Sequence, residues 1–160
     1  MPWNSFFFKK KGEARLKDLI AAASRTPLGN VQGAVNAISA LGRHAVDPLL
    51  RTLDSEDGNV RGAASEALAK IGTPILGILM ARLNDPLPHV RIGVAEALCS
   101  IADKRALSGL IDLLGDEVAR VRWTAAYHLQ YFSDNIAITP LVKVFDNDKE
   151  GFTVRHAAAK

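Results

Sequence analysis

The feature that most constrains this chain is an internal repeat with a period of about 30 residues. The segment VRGAASEALAKIG, from Val60, recurs as VRIGVAEALCSIA from Val90 and as VRWTAAYHLQYFS from Val121, and it begins again as VRHAAAK from Val154. A degenerate earlier copy, AVNAISALG, covers residues 34–42. The Val-Arg pairs are 30, 31 and 33 residues apart. A fixed period of this length is typical of a solenoid in which each repeat is one supersecondary unit.

Each repeat is predicted to contain two amphipathic helices. In the copy from Val60, the apolar residues follow a helical period: Val60, Ala63, Ala64, Ala67, Leu68 and Ile71. A second, leucine-rich segment lies between successive copies, and Gly42, Gly72, Gly115 and the Asp85-Pro86 pair predict turns. One helix pair cannot bury both of its apolar faces, whereas stacked pairs can. We therefore predict an all-α solenoid of about five antiparallel helix pairs, each of 30–33 residues.

Composition is consistent with this architecture and excludes several classes of protein. Hydrophobic residues make up 48% of the chain and aromatic residues only 6%, and no apolar run approaches the roughly 20 residues that span a bilayer. The single cysteine, Cys99, excludes an internal disulfide and predicts a cytoplasmic location. Lys9, Lys10 and Lys11 account for the net charge of +3. Because the rest of the chain is formally neutral, nucleic-acid binding is a minor alternative.

The ends of the chain differ from its middle. Residues 1–11 form an aromatic and basic segment, in which Trp3 and Phe6–Phe8 precede the three lysines, and residues 12–160 form one repeat domain. The segment is predicted to cap the first repeat, with docking on a partner or a membrane surface as alternatives. The last helix stops at Lys160 after about half of its expected length. Either its last turns are dispensable or the chain is part of a longer array, and an uncapped end could stack against another copy.

The repeats resemble a known family. An aspartate, a Val-Arg pair about six residues later and then an Ala-rich helix are similar to the HEAT-like repeats of the phycobilin-lyase class, over roughly residues 17–160. Pro48 and Pro140 resemble the kink-forming proline of HEAT repeats. The resemblance implies a solenoid fold. It leaves function open, because the family includes protein-binding members, bilin lyases, an iron-dependent hydroxylase and distant relatives that act on DNA.

The arginines of the Val-Arg pairs form a ladder with the aspartates that precede them. Its members are Arg61, Arg91, Arg122, Arg155, Asp85 and Asp116. The carboxylates can accept hydrogen bonds from the amides at helix starts, and the arginines can link neighbouring repeats. We interpret the ladder as structural, with anion binding as the alternative.

The sequence predicts no metal, cofactor or catalytic residue. The resemblance implies that iron-binding members carry a His-Glu dyad at the start of their second helices, and here only His156 matches, without the glutamate. Cys99 has no histidine near it in the motif, and no phosphate-binding glycine loop occurs.

One helix departs from the others at its outward positions. Gly62, Glu66 and Lys70 correspond to Ile92, Glu96 and Ser100 in the next repeat, and then to three aromatic residues, Trp123, Tyr127 and Tyr131. Trp and Tyr often anchor protein interfaces. We predict a partner-binding ridge here, flanked by Ile92 and His156; the alternative is that the aromatic residues pack beneath the next unit.

These observations predict a non-catalytic scaffold that binds a protein on the concave face of the solenoid. The first alternative is a bilin-lyase-like enzyme or a tetrapyrrole chaperone, in which the aromatic groove holds the chromophore. A lesser alternative is binding to nucleic acid or to a membrane surface.

Overall fold

A computed structural model describes residues 35–36, 38–132, 135–147 and 150–159 of the chain. The aromatic and basic segment, residues 1–11, lies outside the described residues. The described residues form no strand and eight α-helices: α1 (Val46–Thr52), α2 (Gly58–Ile71), α3 (Leu76–Ala81), α4 (Pro88–Ile101), α5 (Leu107–Asp112), α6 (Ala119–Leu129), α7 (Ile138–Asp146) and α8 (Phe152–Ala158). The predicted all-α solenoid is confirmed, with four helix pairs and the buried residues Val35 and Ile38 of the degenerate first copy before them.

The helices form two layers. The second helices of the pairs, α2, α4, α6 and α8, pack side by side in one layer, and the first helices, α1, α3, α5 and α7, pack along it. We call these the second-helix layer and the first-helix layer. Each repeat contacts mainly its neighbours, which is the arrangement that lets a stack bury faces that one pair would leave exposed.

The core lies between the two layers and follows the repeat. Its fully buried leucines recur two or three times in each of the first three helix pairs: Leu49, Leu53, Leu68, Leu79, Leu98, Leu110 and Leu129. Glycines allow close approach at two unit boundaries. A Cβ atom on Gly93 would lie 2.4 Å from Leu53 Cδ2, and one on Gly109 would lie 2.6 Å from Leu83 Cδ1. The leucine of one unit therefore packs into a space that a glycine of the next unit leaves.

The first helices share a local feature that does not depend on Pro48 or Pro140. All four begin with a 3₁₀ turn: Gly42–Ala45, Thr73–Ile75, Lys104–Ala106 and Asn135–Ala137. The turn is present before α3 and α5, where Ile78 and Gly109 stand at the repeat position of Pro48 and Pro140. Both prolines are the third residue of their helix. In the first turn a missing N–H breaks no hydrogen bond within the helix.

Candidate functional site

The three aromatic residues of the predicted binding ridge form a continuous series of ring contacts along α6 and the turn that follows it. We call Trp123, Tyr127 and Tyr131 the aromatic ridge. The Trp123 and Tyr127 rings are stacked, with centroids 5.1 Å apart and planes at 11°. Tyr131 meets Tyr127 edge to face at 5.8 Å, and its hydroxyl donates to Tyr127 Oη at 3.3 Å. This hydrogen bond raises the pKa of Tyr131. The three side chains hold one another in place.

The members of the aromatic ridge are not equally accessible. Trp123 and Tyr127 are partly buried and pack against the core, whereas Tyr131 is 67% exposed. The Arg120 guanidinium lies 4.5 Å from the centre of the Trp123 ring. Since Arg120 precedes Trp123 by one turn and Tyr127 follows it by one turn, the two approach the indole from opposite directions along the helix. A partner on this surface would meet the edge of Trp123 and most of Tyr131.

The predicted flanking residues differ from each other. Ile92 on α4 is half-buried and packs against the core, whereas His156 on α8 is exposed. His156 stacks on Phe152 with centroids 5.8 Å apart, and Phe152 is 80% exposed. Sequence reasoning missed Phe152, although its position four residues before His156 was a usable signal, since one helical turn separates such residues. We call Phe152 and His156 the second ridge.

Glu96 lies on the same surface as the aromatic ridge, at the repeat position of Tyr127. Burial raises the pKa of this carboxyl, and Arg120, the Ser65 hydroxyl and Arg61 oppose the effect in that order. Ser65 itself donates to the Gly93 carbonyl at 2.9 Å, across the contact between α2 and α4. Beside the aromatic ridge, the surface thus presents a half-buried acidic group.

Glu96→Gln is expected to stabilise the chain at neutral pH. An acid whose folded-state pKa lies above its unfolded value keeps its proton longer when folded, so stability falls as pH rises through that interval. The neutral amide of the variant does not lose stability in this way. The gain in stability over the wild-type chain should therefore vanish below pH 4.5, the ordinary pKa of a glutamate side chain. Urea unfolding at neutral pH and below pH 4.5 measures the difference in stability between the variant and the wild-type chain. Glu66→Gln, at the exposed equivalent position on α2, is the control. An equal gain for both variants would contradict the assignment.

Arg91 connects two repeats. Its guanidinium donates from Nε and Nη2 to the two carboxylate oxygens of Asp116, at 2.8 Å each, and from Nη1 to the Asp85 carbonyl at 2.8 Å. Both partners of the ion pair are 8% exposed in their side chains. Asp116 also accepts from the Val118 amide at 2.8 Å, just before α6 begins. One buried fork–fork pair therefore holds the start of α4 to the start of α6.

Arg122 repeats this arrangement with a different acid. Its Nη1 donates to the Asp116 carbonyl at 2.8 Å and its Nη2 to Glu150 Oε2 at 2.9 Å. Its buried Nε lies 2.8 Å from Glu150 Oε1, an ion-pair distance without hydrogen-bond alignment. The aspartate seven residues before Arg155 is Asp148, which lies outside the described residues. The structure uses Glu150, whose longer side chain suits the two extra residues in this repeat.

The remaining ladder residues depart from the pattern. Arg61 donates to the Ser55 and Glu56 carbonyls, but it has no ion pair with the next aspartate among the described residues. That aspartate, Asp85, accepts from Arg82 at 2.8 Å and from the Leu87 amide at 3.0 Å. Leu113 stands at the repeat position of Arg82, so Asp116 has no such competitor. Arg155 donates to the Phe145 carbonyl at 2.8 Å.

Cys99 on α4 is half-buried, and its burial raises the pKa of the thiol to about 12, with Glu96 adding to the effect. Because the thiolate is the nucleophile, the native thiol is expected to react very slowly. Iodoacetamide at mildly alkaline pH should label Cys99 in urea but not in buffer, as read by mass spectrometry. Rapid labelling of the native chain would show that the thiol is accessible and ionised.

Neither a metal site nor a membrane span stands out in the described part of the chain. No group of three or more His, Cys, Asp or Glu side chains is arranged to hold a metal ion there. No single described helix has both the length and the apolarity to cross a bilayer; the pair Gly58–Ile71 and Thr73–Asn84 passes only when taken together and is bent by 99°.

Comparison with known proteins identifies the repeat. The family described as HEAT repeats matches residues 75–160, more than half of the chain. The chain belongs to the HEAT repeat family. This HEAT-repeat chain is also 30% identical over 139 residues to phycocyanobilin lyase subunit alpha of Picosynechococcus sp. (strain ATCC 27264 / PCC 7002 / PR-6), with 74% of this chain covered. These matches confirm the resemblance to the phycobilin-lyase class of HEAT-like repeats.

The match to the lyase subunit has a limited extent. This HEAT-repeat chain spans about half of the relative's length, with 52% of it covered. Among solved structures, an engineered protein superposes with a TM-score of 0.55 and 23% identity, covering 94% of this chain and 71% of its own. That likeness supports the fold alone.

Proposed function

We propose that this HEAT-repeat chain is a non-catalytic scaffold that binds a protein partner on the second-helix layer. Trp123, Tyr127 and Tyr131 provide the anchor, and Ile92 and His156 flank it. The observation that carries the proposal is the stacked aromatic ridge, which ends in the 67% exposed Tyr131. The framework does not require these side chains, since the same positions in the other repeats hold residues such as Gly62 and Ser100.

The aromatic ridge suits a binding site because it is ordered before a partner arrives. Stacking on Tyr127 and the Arg120 guanidinium restrict the Trp123 side chain, and the Tyr131 hydroxyl is hydrogen-bonded. Fewer rotamers are then frozen on binding, which lowers its entropic cost. Large aromatic side chains also bury much apolar area when a partner covers them.

The second candidate function is tetrapyrrole binding, and the relative favours it. A protein named as a lyase subunit for phycocyanobilin is 30% identical to most of this chain. A flat, conjugated chromophore could stack on exposed aromatic faces, and the second ridge offers one at Phe152. Because the chain spans about half of that relative, we propose chromophore holding rather than lyase activity for this alternative.

The other sequence-based interpretations stay proposals. We assign the Arg–Asp ladder to the framework, because its described arginines donate to backbone carbonyls or buried carboxylates. A cytoplasmic location and contact of residues 1–11 with a membrane surface are predictions. Sedimentation with liposomes, with and without those residues, tests the second.

Capture of a protein partner tests the scaffold proposal. Tyr127→Ala combined with Tyr131→Ala should remove the proteins that the tagged chain captures from a lysate, as quantified by mass spectrometry, because the anchor loses most of its exposed area. Trp123 is left intact, since it packs partly against the core. The control is Ile78→Ala, which truncates an exposed side chain of the first-helix layer. Equal capture by both variants would contradict the proposal.

Absorbance titration separates the second candidate from the first. If the aromatic groove holds a tetrapyrrole, the visible absorption band of biliverdin should shift when the wild-type chain is added. The Tyr127→Ala, Tyr131→Ala variant should shift that band less. A flat titration with the wild-type chain removes tetrapyrrole binding and leaves the protein scaffold.

A further inference from the structure

The second-helix layer carries an acid that lacks the ionic partner of its counterpart in the preceding repeat. Glu66 on α2 pairs with Lys70 one turn later, with 3.7 Å between Lys70 Nζ and Glu66 Oε1. At the same two positions α4 has Glu96 and Ser100. No ion pair joins Glu96 to another residue in the described part of the chain. A small neutral residue therefore stands where the preceding repeat has a lysine.

The arginines nearest to Glu96 do not take the place of that lysine. Burial raises the pKa of Glu96, and the attraction of Arg120 and Arg61 opposes this rise only in part. The Arg120 guanidinium lies 4.5 Å from the centre of the Trp123 ring, and Arg61 Nη1 donates to the Ser55 carbonyl at 2.7 Å. The Glu96 carboxylate is therefore partly removed from water without a cation in contact with it, which is unfavourable in the free chain.

Glu96 lies next to the aromatic ridge. The helices α4 and α6 pack side by side, and Tyr127 stands on α6 at the repeat position of Glu96. Axes of packed helices are about 8–10 Å apart, a distance that an extended peptide spans in about three residues. One partner segment can therefore reach both the ridge and the acid. Within the described array α4 and α6 have neighbours on both sides, α2 and α8, so this surface is not exposed for lack of a neighbouring repeat.

We propose that the partner presents a lysine or an arginine to Glu96, beside an apolar side chain that covers Tyr127 and Tyr131. This inference rests on the proposed scaffold function and names the chemistry of the partner. The partner's cation takes the place that Lys70 has beside Glu66. Its methylene groups can pack on the Tyr127 ring, and an aromatic ring also attracts a cation. Because the free chain already bears part of the cost of dehydrating the carboxylate, less of that cost remains when the pair forms.

Selection from a display library of short random peptides, with the full chain as bait, tests the proposal. Retained peptides should be enriched in lysine or arginine within about three residues of an aromatic or aliphatic residue, the span between the two helices. A synthetic peptide of the most enriched sequence should bind the Glu96→Gln variant at least about tenfold more weakly, because a charge-assisted hydrogen bond is lost. Glu66→Gln removes an acid that already has Lys70 beside it, and it should leave the affinity unchanged.

Charge reversal provides a measurement that does not rely on loss of binding. Selection with the Glu96→Lys variant should enrich aspartate or glutamate in place of the basic residue, since the introduced cation repels the original peptides and attracts acidic ones. Unfolding does not explain weaker binding by Glu96→Gln, because that variant is expected to be more stable than the wild-type chain. Circular dichroism checks that Glu96→Lys folds.

The outcomes distinguish the basic partner from the scaffold itself. Peptides without basic enrichment that the Tyr127→Ala, Tyr131→Ala variant no longer retains would overturn the basic partner and support the scaffold. Enrichment in acidic residues by the wild-type chain would also overturn it and would assign Arg120 as the charge that the partner meets. Equal binding of the selected peptide by Glu96→Gln and the wild-type chain contradicts it as well. If the wild-type chain retains no peptide, the basic segment is rejected, and lysate capture decides the scaffold separately.

Discussion

Arg91→Ala is expected to lower the free energy of unfolding by about 3 kcal/mol, since removing one partner of a buried ion pair leaves the other charge uncompensated. Among the described residues, the variant leaves the buried Asp116 carboxylate with only the Val118 amide as a hydrogen-bond donor. It also removes the donor to the Asp85 carbonyl. For a chain of this length, the midpoint of thermal unfolding should fall by roughly 10 °C.

A matched control separates burial from ion pairing as such. Arg105 makes a similar two-nitrogen contact with Asp103, at 2.9 and 2.7 Å, but its side chain is 69% exposed. Arg105→Ala should therefore change the stability far less than Arg91→Ala, since exposed pairs contribute little. Urea unfolding of both variants measures the two effects. Equal losses would mean that the link between the repeats contributes nothing beyond an ordinary surface pair.

Gly93→Leu is expected to destabilise the chain by about 3 kcal/mol, the upper part of the usual range for overpacking a core. Its Cβ alone would lie within 3.2 Å of three atoms of Leu53, and Leu53 is fully buried. The leucine therefore has no solvent-filled space to move into. Restoring space with the double variant Gly93→Leu, Leu53→Ala should recover part of the loss.

Gly62→Leu is the matched control, with an effect of opposite sign. Gly62 lies inside α2, and a Cβ atom there would meet nothing within 4 Å. Leucine has the higher helix propensity, so this variant should gain roughly 0.5 kcal/mol. Thermal and urea unfolding of the two variants check both signs. If Gly62→Leu destabilised the chain and Gly93→Leu did not, the close packing of Leu53 against Gly93 would be contradicted.

The fold was predictable because the same apolar pattern recurs in several repeats. Val60, Val90, Val121 and Val154 set the period, and the apolar positions around each of them gave the helix pairs. The repeat pattern did not predict the local backbone conformation at the start of the first helices. The 3₁₀ turns precede helices with and without a proline, so they follow from the packing of the repeat and not from Pro48 or Pro140.

The candidate site was only partly predictable. The alignment of the repeats shows which side of a helix a residue lies on, but it does not show which side chains that residue contacts. Comparison of the repeats places Trp123, Tyr127 and Tyr131 on the outward side. It does not reveal that Arg120 covers the indole, since that contact depends on side-chain rotamers. It also does not single out Glu150, the acid that Arg122 binds in the fourth repeat.

The outward positions of the second helices have an evolutionary consequence. The repeats that contain α2, α4 and α6 each carry three such residues, exemplified by Gly62, Glu66 and Lys70 on α2, which are all exposed. Because a repeat contacts mainly its neighbours, the cost of changing one of these residues stays local. Specificity can then diverge one repeat at a time while the leucine core stays constant. Duplication of a repeat copies a tolerated surface on which new side chains can be selected without loss of folding.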